Sequence, residues 1–355
     1  MGARRPDRRE EPGLATRREG RRQRQRGAGL KVVVLGGTRF IGRAIVEELH
    51  GAGHELLVVH RGELEPHDMP PVRHLHVDRM QLGAHAEELA AFGPEAAVDC
   101  RALTRNDSQV ALAALPTGIR LVVISSIDVY RAFGAVNDDL ETDPVPLDEE
   151  SPVRPGRYPY RGQRPDLEDY DKLDVEEVYL SHGATVLRLP MVYGERDYQL
   201  REEFILRRVR AGRARIPFGG GTWLTARGYV RDIALGAHLA LKTPAAAGEV
   251  FNLCEDRTYS VRLWARMILE AAGSSAELVR VPDKLLPEDL QETGTLSQHI
   301  MASARKARTV LGWKTSDPEQ TLRTTVRWHL DHPPASPDND FSADDRALEG
   351  AAATV

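Results

Sequence analysis

Gly36-Gly37-Thr38-Arg39-Phe40-Ile41-Gly42 has the make-up of a phosphate cradle. Glycines let a backbone approach a pyrophosphate closely, and a helix opened by such a turn presents free N–H groups to the anion. The context supports this, because the apolar run Lys31–Leu35 precedes the turn and a helical pattern follows it. Gly36 and Gly42 match a G-x-x-G-x-x-G spacing, with Arg39 where the middle glycine would stand. After the next strand the chain reads His60-Arg61-Gly62, with no Asp or Glu to take a ribose 2′-OH. Arg61 is a planar cation suited to a 2′-phosphate, and Arg39 can share it, so NADP is expected rather than NAD. Arg154, Arg157, Arg161 and Arg164, interleaved with Tyr158 and Tyr160, suit a phosphorylated or nucleotide-linked substrate. No H-E-x-x-H and no Cys/His cluster is present, so no metal is expected, and His74 and His76 read as packing or edge residues.

These residues need a frame. Short strands are expected at Lys31–Leu35, Glu55–His60, Val72–Asp78, Ala96–Cys100, Arg120–Ser125 and Ala184–Leu189. Helices at Phe40–His50, Ala84–Phe92, Ser108–Leu115 and Asp169–Ser181 separate most of them. Such alternation implies right-handed βαβ units and an α/β, Rossmann-type doubly wound parallel sheet. The expected organisation is a basic disordered tail at 1–29, a dinucleotide-binding domain at 30–190 with a long loop at 131–165, a mainly substrate-binding lobe at 191–332, and a loose tail at 333–355. The smaller lobe is expected to hold helices near Arg201–Ala211, Asp232–Leu241, Ser260–Ala272 and Pro318–His332, with strands near Thr222–Tyr229 and Glu249–Leu253.

Composition limits the alternatives. The chain has 355 residues and a net charge of −5, with no apolar run long enough to span a bilayer and no secretory h-region. Cys100 and Cys254 are too few for a disulfide framework and read as buried thiols of a cytoplasmic protein. Residues 1–29 carry ten arginines against four acidic side chains, leaving the remainder at −11. That segment has almost no apolar residues and is expected to be disordered, or an over-long start with the folded protein beginning near Leu30. An acidic body argues against nucleic acid as the main partner.

The motifs, taken in order, resemble the extended and atypical short-chain dehydrogenase/reductases, the NAD-dependent epimerase/dehydratase group. GGTRFIG (36–42) resembles the atypical glycine motif, Val77-Asp78-Arg79 the segment whose Asp contacts adenine, and Ser125–Tyr130 the S-S-x-x-V-Y stretch. Arg188–Gly194 resembles R-x-P-x-V-Y-G, whose proline, here Pro190, backs the nicotinamide, and Gly228–Ala234 resembles x-V-x-D-x-A. The resemblance covers Leu30 to His332 and implies a Ser/Thr, a Tyr and a Lys at the active site, the last two spaced Y-x-x-x-K. Four residues apart puts both on one helical face, where the ammonium lowers the phenol pKa for proton transfer. Ser126 and Lys172 match the serine and the lysine, but Glu168 stands where the tyrosine belongs.

Tyr170 is the expected substitute, reaching the site only if the helix starts late, with Asp169 as its N-cap. Tyr179 shares the lysine's face about 10 Å along the axis, Tyr158 and Tyr160 could fold back from the loop, and Tyr130 is expected to be structural. Asp128 matches one of two acidic positions of the dehydratase branch, the other being Ile127. Arg227 is a second candidate for a substrate phosphate. The resemblance implies an enzyme with a small-molecule substrate, a sugar nucleotide or similar polar metabolite, and homodimerisation through sheet-edge helices is one expectation. A non-catalytic NADP(H)-binding sensor and an RNA-binding atypical member are the alternatives.

Overall fold

A computed structural model describes residues 29–352. The expected disorder of the basic tail falls, but for Gly29, outside the described residues. Seven parallel strands form the main sheet, in the order β10-β6-β5-β4-β1-β2-β3. They are β1 (Lys31–Leu35), β2 (Glu55–His60), β3 (Arg73–His76), β4 (Ala96–Asp99), β5 (Arg120–Ser126), β6 (Thr185–Leu189) and β10 (Val250–Asn252). β1 shows why the sheet is buried on both faces. Val32 and Val34 join one apolar layer with Ile45, Val46 and Leu49, whereas Val33 and Leu35 join another with Leu89, Phe92 and Ala111. Side chains alternate along a strand, so a run with no polar residue feeds a core on each side.

Helices α1 (Phe40–Gly51), α2 (Ala86–Phe92), α3 (Arg105–Ala114) and α5 (Lys172–Leu180) supply the crossovers. β1 pairs β2 on one side and β4 on the other. This is the point where the winding reverses, and the crevice beyond the strand ends there is the usual ligand position of such sheets.

The long loop opens with a helix, α4 (Arg131–Asn137), where none was expected. β7 (Met191–Tyr193) pairs β9 (Arg227–Tyr229), and β8 (Arg215–Phe218) pairs β11 (Glu277–Arg280). Four helices accompany them: α6 (Glu203–Arg210), α7 (Val230–Lys242), α8 (Val261–Ala271) and α10 (Pro318–Asp331), with the short α9 at Arg305–Leu311. α7 packs directly against α1, in the same apolar layer as Val32 and Val34 on one face of the main sheet.

Two expectations about this half need correction. Val250–Asn252, expected in the smaller lobe, adds to the edge of the main sheet beside β6. The stretch after 333, expected to be loose, contains helix α11 (Ser342–Ala352). Its Asp344 is fully buried and takes two 2.7 Å hydrogen bonds from the equally buried Arg208 of α6, and Ala347 is buried beside it. A buried arginine is tolerated only when paired, so Arg208 holds a segment whose own sequence carries few apolar side chains. Among the described residues no helix is long and apolar enough to cross a membrane.

Candidate active site

The glycine loop lies at the carboxyl end of β1. Gly36 has φ +85°, which favours glycine, and a Cβ on Gly42 would stand 2.0 Å from the Gly36 carbonyl oxygen. Arg39, in the middle-glycine position, adopts extended backbone as N-cap of α1, so no glycine is required there. The first turn of α1 has no side-chain cap and no acidic residue. Its leading N–H groups have no intrahelical partners, and nothing local competes with an anion. A pyrophosphate fits this cradle. Thr38, Phe40 and Ile41 complete the turn, with Phe40 buried at the start of α1. Sequence reasoning missed Arg101, just past β4, whose Cβ lies 2.9 Å from the position of a Gly36 Cβ. The signal was available, since residues at strand ends near the winding reversal face the crevice.

Arg61 is exposed and 2.8 Å from Glu63, while the guanidinium of Arg39 lies over the Tyr198 ring, 5.7 Å from its centroid. Asp78 is exposed, and its carboxylate accepts from the Met80 N–H at 2.8 Å, capping a short turn of helix. Pro190 is buried, and its ring lies 3.1 Å from where a Cβ on Gly228 would sit.

Ser126 ends β5, and Lys172 is the first residue of α5. The N-cap is Asp171, not Asp169, so the helix starts later than expected. Glu168 and Tyr170 therefore lie outside the helix, and the four-residue face rule does not govern them. Freed from the helix, Tyr170 donates to Asp128 Oδ2 at 2.7 Å, and its hydroxyl also interacts with Ser126. The ring is partly exposed, but the hydroxyl end is enclosed. Tyr160 folds back as expected and donates to the same oxygen at 3.4 Å, its ring 5.3 Å from that of Tyr170.

Lys172 is buried and donates to the Ala102 carbonyl at 2.6 Å and the Ile124 carbonyl at 2.9 Å. Its ammonium lies 5.9 Å from the Tyr170 ring centroid. The structure thus gathers Ser126, Asp128, Tyr170 and Lys172, with Tyr160 behind.

Burial dominates their proton affinities. It pushes the Asp128 carboxyl up, against the Tyr170 hydrogen bond and the charges of Arg154 and Lys172. Burial and the Asp128 charge push Tyr170 well above the usual phenol range. Burial brings Lys172 down to about 8, with Asp128 and Asp99 opposing. Asp128 Oδ1 is buried without a hydrogen-bond partner.

The other tyrosines are committed elsewhere. Tyr179 donates to buried Asp99 at 2.5 Å, and Asp99 is also held by both terminal nitrogens of Arg79. Tyr130 donates to Asn252 at 2.8 Å, and Tyr158 points its hydroxyl at Asp174.

The loop arginines each meet an acidic side chain of the chain itself. Arg154 is buried against both oxygens of Asp171, Arg157 faces Asp174 at 3.3 Å, Arg161 meets Asp169 and Arg164 meets Asp166. Arg227, the second candidate for a substrate phosphate, is enclosed. It is buried over the Trp264 ring, donates to the Thr225 carbonyl, and burial lowers its pKa to about 10.

The profile of the NAD dependent epimerase/dehydratase family matches residues 32–254. The chain is 26% identical over 336 residues to the chloroplast stem-loop binding protein of 41 kDa b from Arabidopsis thaliana, covering 90% of this chain and 84% of that protein. It is 27% identical over 284 residues to the 2'-dehydrokanamycin reductase of Streptomyces kanamyceticus, covering 76% of this chain and 74% of the reductase. Its fold is similar to that of the UDP-glucose 4-epimerase of Thermotoga maritima solved with UDP-glucose. There the TM-score is 0.63 at 21% identity, over 85% of this chain and 99% of the epimerase. With the glycine cradle, the winding reversal and the Ser126–Lys172 cluster in place, the chain belongs to the NAD dependent epimerase/dehydratase family, a family of enzymes.

Proposed function

We propose that this protein is an NADP(H)-dependent oxidoreductase that reduces a carbonyl of a sugar nucleotide or similar polar metabolite. The Tyr170–Asp128 contact carries the reading. A reductase must deliver a proton to the oxygen of the carbonyl it reduces. Tyr170 keeps its proton at neutral pH beside Asp128, so it can pass that proton to an oxygen that becomes an alkoxide, a stronger base, as hydride arrives. Ser126 is placed to hydrogen-bond the same substrate oxygen. Lys172, fixed by two backbone carbonyls, presents its remaining N–H toward the site and anchors a ribose there. The nicotinamide, when bound, supplies the hydride. The Gly36–Gly42 loop holds the pyrophosphate, Pro190 backs the nicotinamide, Asp78 contacts the adenine, and exposed Arg61 and Arg39 take the 2′-phosphate. The similar Streptomyces kanamyceticus protein, named 2'-dehydrokanamycin reductase, is consistent with this direction.

The test is a titration of the purified chain with NADPH and NADH, followed by a carbonyl screen. NADPH binds more tightly, and Arg61→Ala costs about tenfold in NADPH affinity while leaving NADH unchanged. Tyr170→Phe lowers turnover by about 10²-fold or more with cofactor binding intact. Equal binding of the two nucleotides refutes the NADP assignment. An unchanged Tyr170→Phe rate refutes the proton donor. An RNA-binding protein would instead retain stem-loop RNA at physiological salt and show no turnover.

A further inference from the structure

A second cluster lies at the other side of the sheet's carboxyl end. β2 and β3 run parallel in a register that sets His60 beside His76. His74 and His76 are two apart on β3 and so share a face. The His60 ring centroid lies 5.1 Å from that of His74 and 4.7 Å from that of His76. Glu65 reaches in from the connecting loop. Its Oε2 is 2.8 Å from His76 Nε2 and 3.9 Å from His60 Nε2, and its Oε1 is 3.7 Å from His74 Nε2. One ligand-capable atom from each of the four residues lies within 4.8 Å of all the others.

We propose that His60, Glu65, His74 and His76 bind one divalent transition-metal ion, for which Zn²⁺ is the best-fitting species. Three imidazole nitrogens and one carboxylate oxygen form the mixed N/O set that Zn²⁺ takes in tetrahedral geometry, with bonds of about 2.0–2.2 Å. Mg²⁺ and Ca²⁺ need oxygen-rich sites and find one carboxylate here. Four protein ligands complete the coordination, so the ion is structural and clips the 61–72 loop to both strands.

The metal-free arrangement is a relay. The Gly62 N–H donates to His60 Nδ1 at 3.1 Å, and His60 Nε2 therefore donates to His74 Nδ1 at 2.9 Å. Loading displaces the proton on His60 Nε2. The ring keeps its neutral form by taking a proton on Nδ1, and the Gly62 N–H is released to solvent. This exchange costs about one hydrogen bond against several metal–ligand bonds.

The experiment uses the full chain without an affinity tag, stripped by chelator and dialysed against Zn²⁺ or Co²⁺ with no nucleotide present. Its outcome is therefore independent of the cofactor reading. One ion per chain is expected, and Co²⁺ should give the intense visible bands of a tetrahedral site. His76→Ala, at an exposed position that the fold tolerates, weakens binding by about 10²-fold, and Glu65→Gln does so as well. His182→Ala, outside the cluster, changes nothing. Sub-stoichiometric binding at micromolar Zn²⁺, or equal affinity in His76→Ala and the parent chain, overturns the site.

Discussion

Asp128→Asn should make this protein more stable and less active at once. In the native chain Asp128 is almost fully buried, and its Oδ1 has no hydrogen-bond partner. Burial raises its pKa above the ordinary 3.8 despite the Tyr170 hydrogen bond and the Arg154 and Lys172 charges. Folding therefore favours the protonated carboxyl. That contribution is complete below pH 3.8 and is lost as pH rises through the folded-state value. Wherever this carboxyl is ionised, the protein carries a charge that its own fold disfavours.

Asparagine has the same shape and no charge. Its amide oxygen can still accept from Tyr170 and Tyr160, so the losses are the charge-assisted part of those two hydrogen bonds and the enclosure of the amide N–H groups at the unpartnered Oδ1 position, each about 1 kcal/mol. Relief of the buried charge outweighs these, and a net gain in the ~0.5–2 kcal/mol range typical of relaxing a functional site is expected. For a domain of this size that is a rise of a few degrees in Tm at pH 7. The two proteins should converge as pH falls and the native carboxyl takes up its proton. Turnover should fall by about 10²-fold or more if Asp128 exchanges protons with Tyr170. Calorimetry from pH 4 to 8 beside carbonyl-reduction rates reads both quantities. A variant less stable than the parent at pH 7 refutes the charge argument, and unchanged turnover refutes the relay.

Three further outcomes are expected. Gly42→Ala places a Cβ 2.0 Å from the Gly36 carbonyl oxygen, so it should cost about 1–3 kcal/mol in stability and abolish NADPH binding by fluorescence titration, whereas Gly51→Ala, with open space around it, should bind normally. Asp344→Ala leaves Arg208 buried with only Asp289 to pair it, and its loss should approach ~3 kcal/mol in urea unfolding, with proteolysis starting in the C-terminal helix. Lys172, held down to about 8, should lose its charge as pH rises through that value. NADPH affinity should therefore fall above about pH 8, while stability gains because the disfavoured charge is gone; a Lys172→Met variant should bind weakly at every pH and show no such limb.

Most strands of the main sheet were legible because they are short apolar runs bounded by glycine, proline or charge, as Lys31–Leu35 is before Gly36-Gly37, whereas β3 showed only an alternation around Leu75. The cofactor cradle followed from the same boundary. Elements held by distant partners were hidden. β8 and β11 are short and pair only with each other, and α11 carries few apolar residues and docks through Arg208. Tyr170 was legible only conditionally, since its reach depended on a late helix start, and Asp171 capped the helix where Asp169 had the same credentials. The loop arginines looked available because nothing in their spacing reveals Asp171, Asp174 or Glu177 arriving from the next element. The histidine cluster escaped notice because His60 and His76 are opposed by strand register, which no local spacing encodes.

Asp171 ties several of these elements together. It caps α5 by accepting from the Leu173 N–H, accepts two hydrogen bonds from Arg154, and accepts the Tyr158 N–H at 2.7 Å. The root of the loop and the placement of the neighbouring Lys172 thus share one carboxylate. For anyone exchanging loops between relatives to change what this protein accepts, the seam matters. A graft that begins before Arg154 and ends after Asp171 must import a matching pair. A graft confined to residues 159–169 leaves the hinge in place, and would have to supply its own aromatic hydroxyl where Tyr160 now stands.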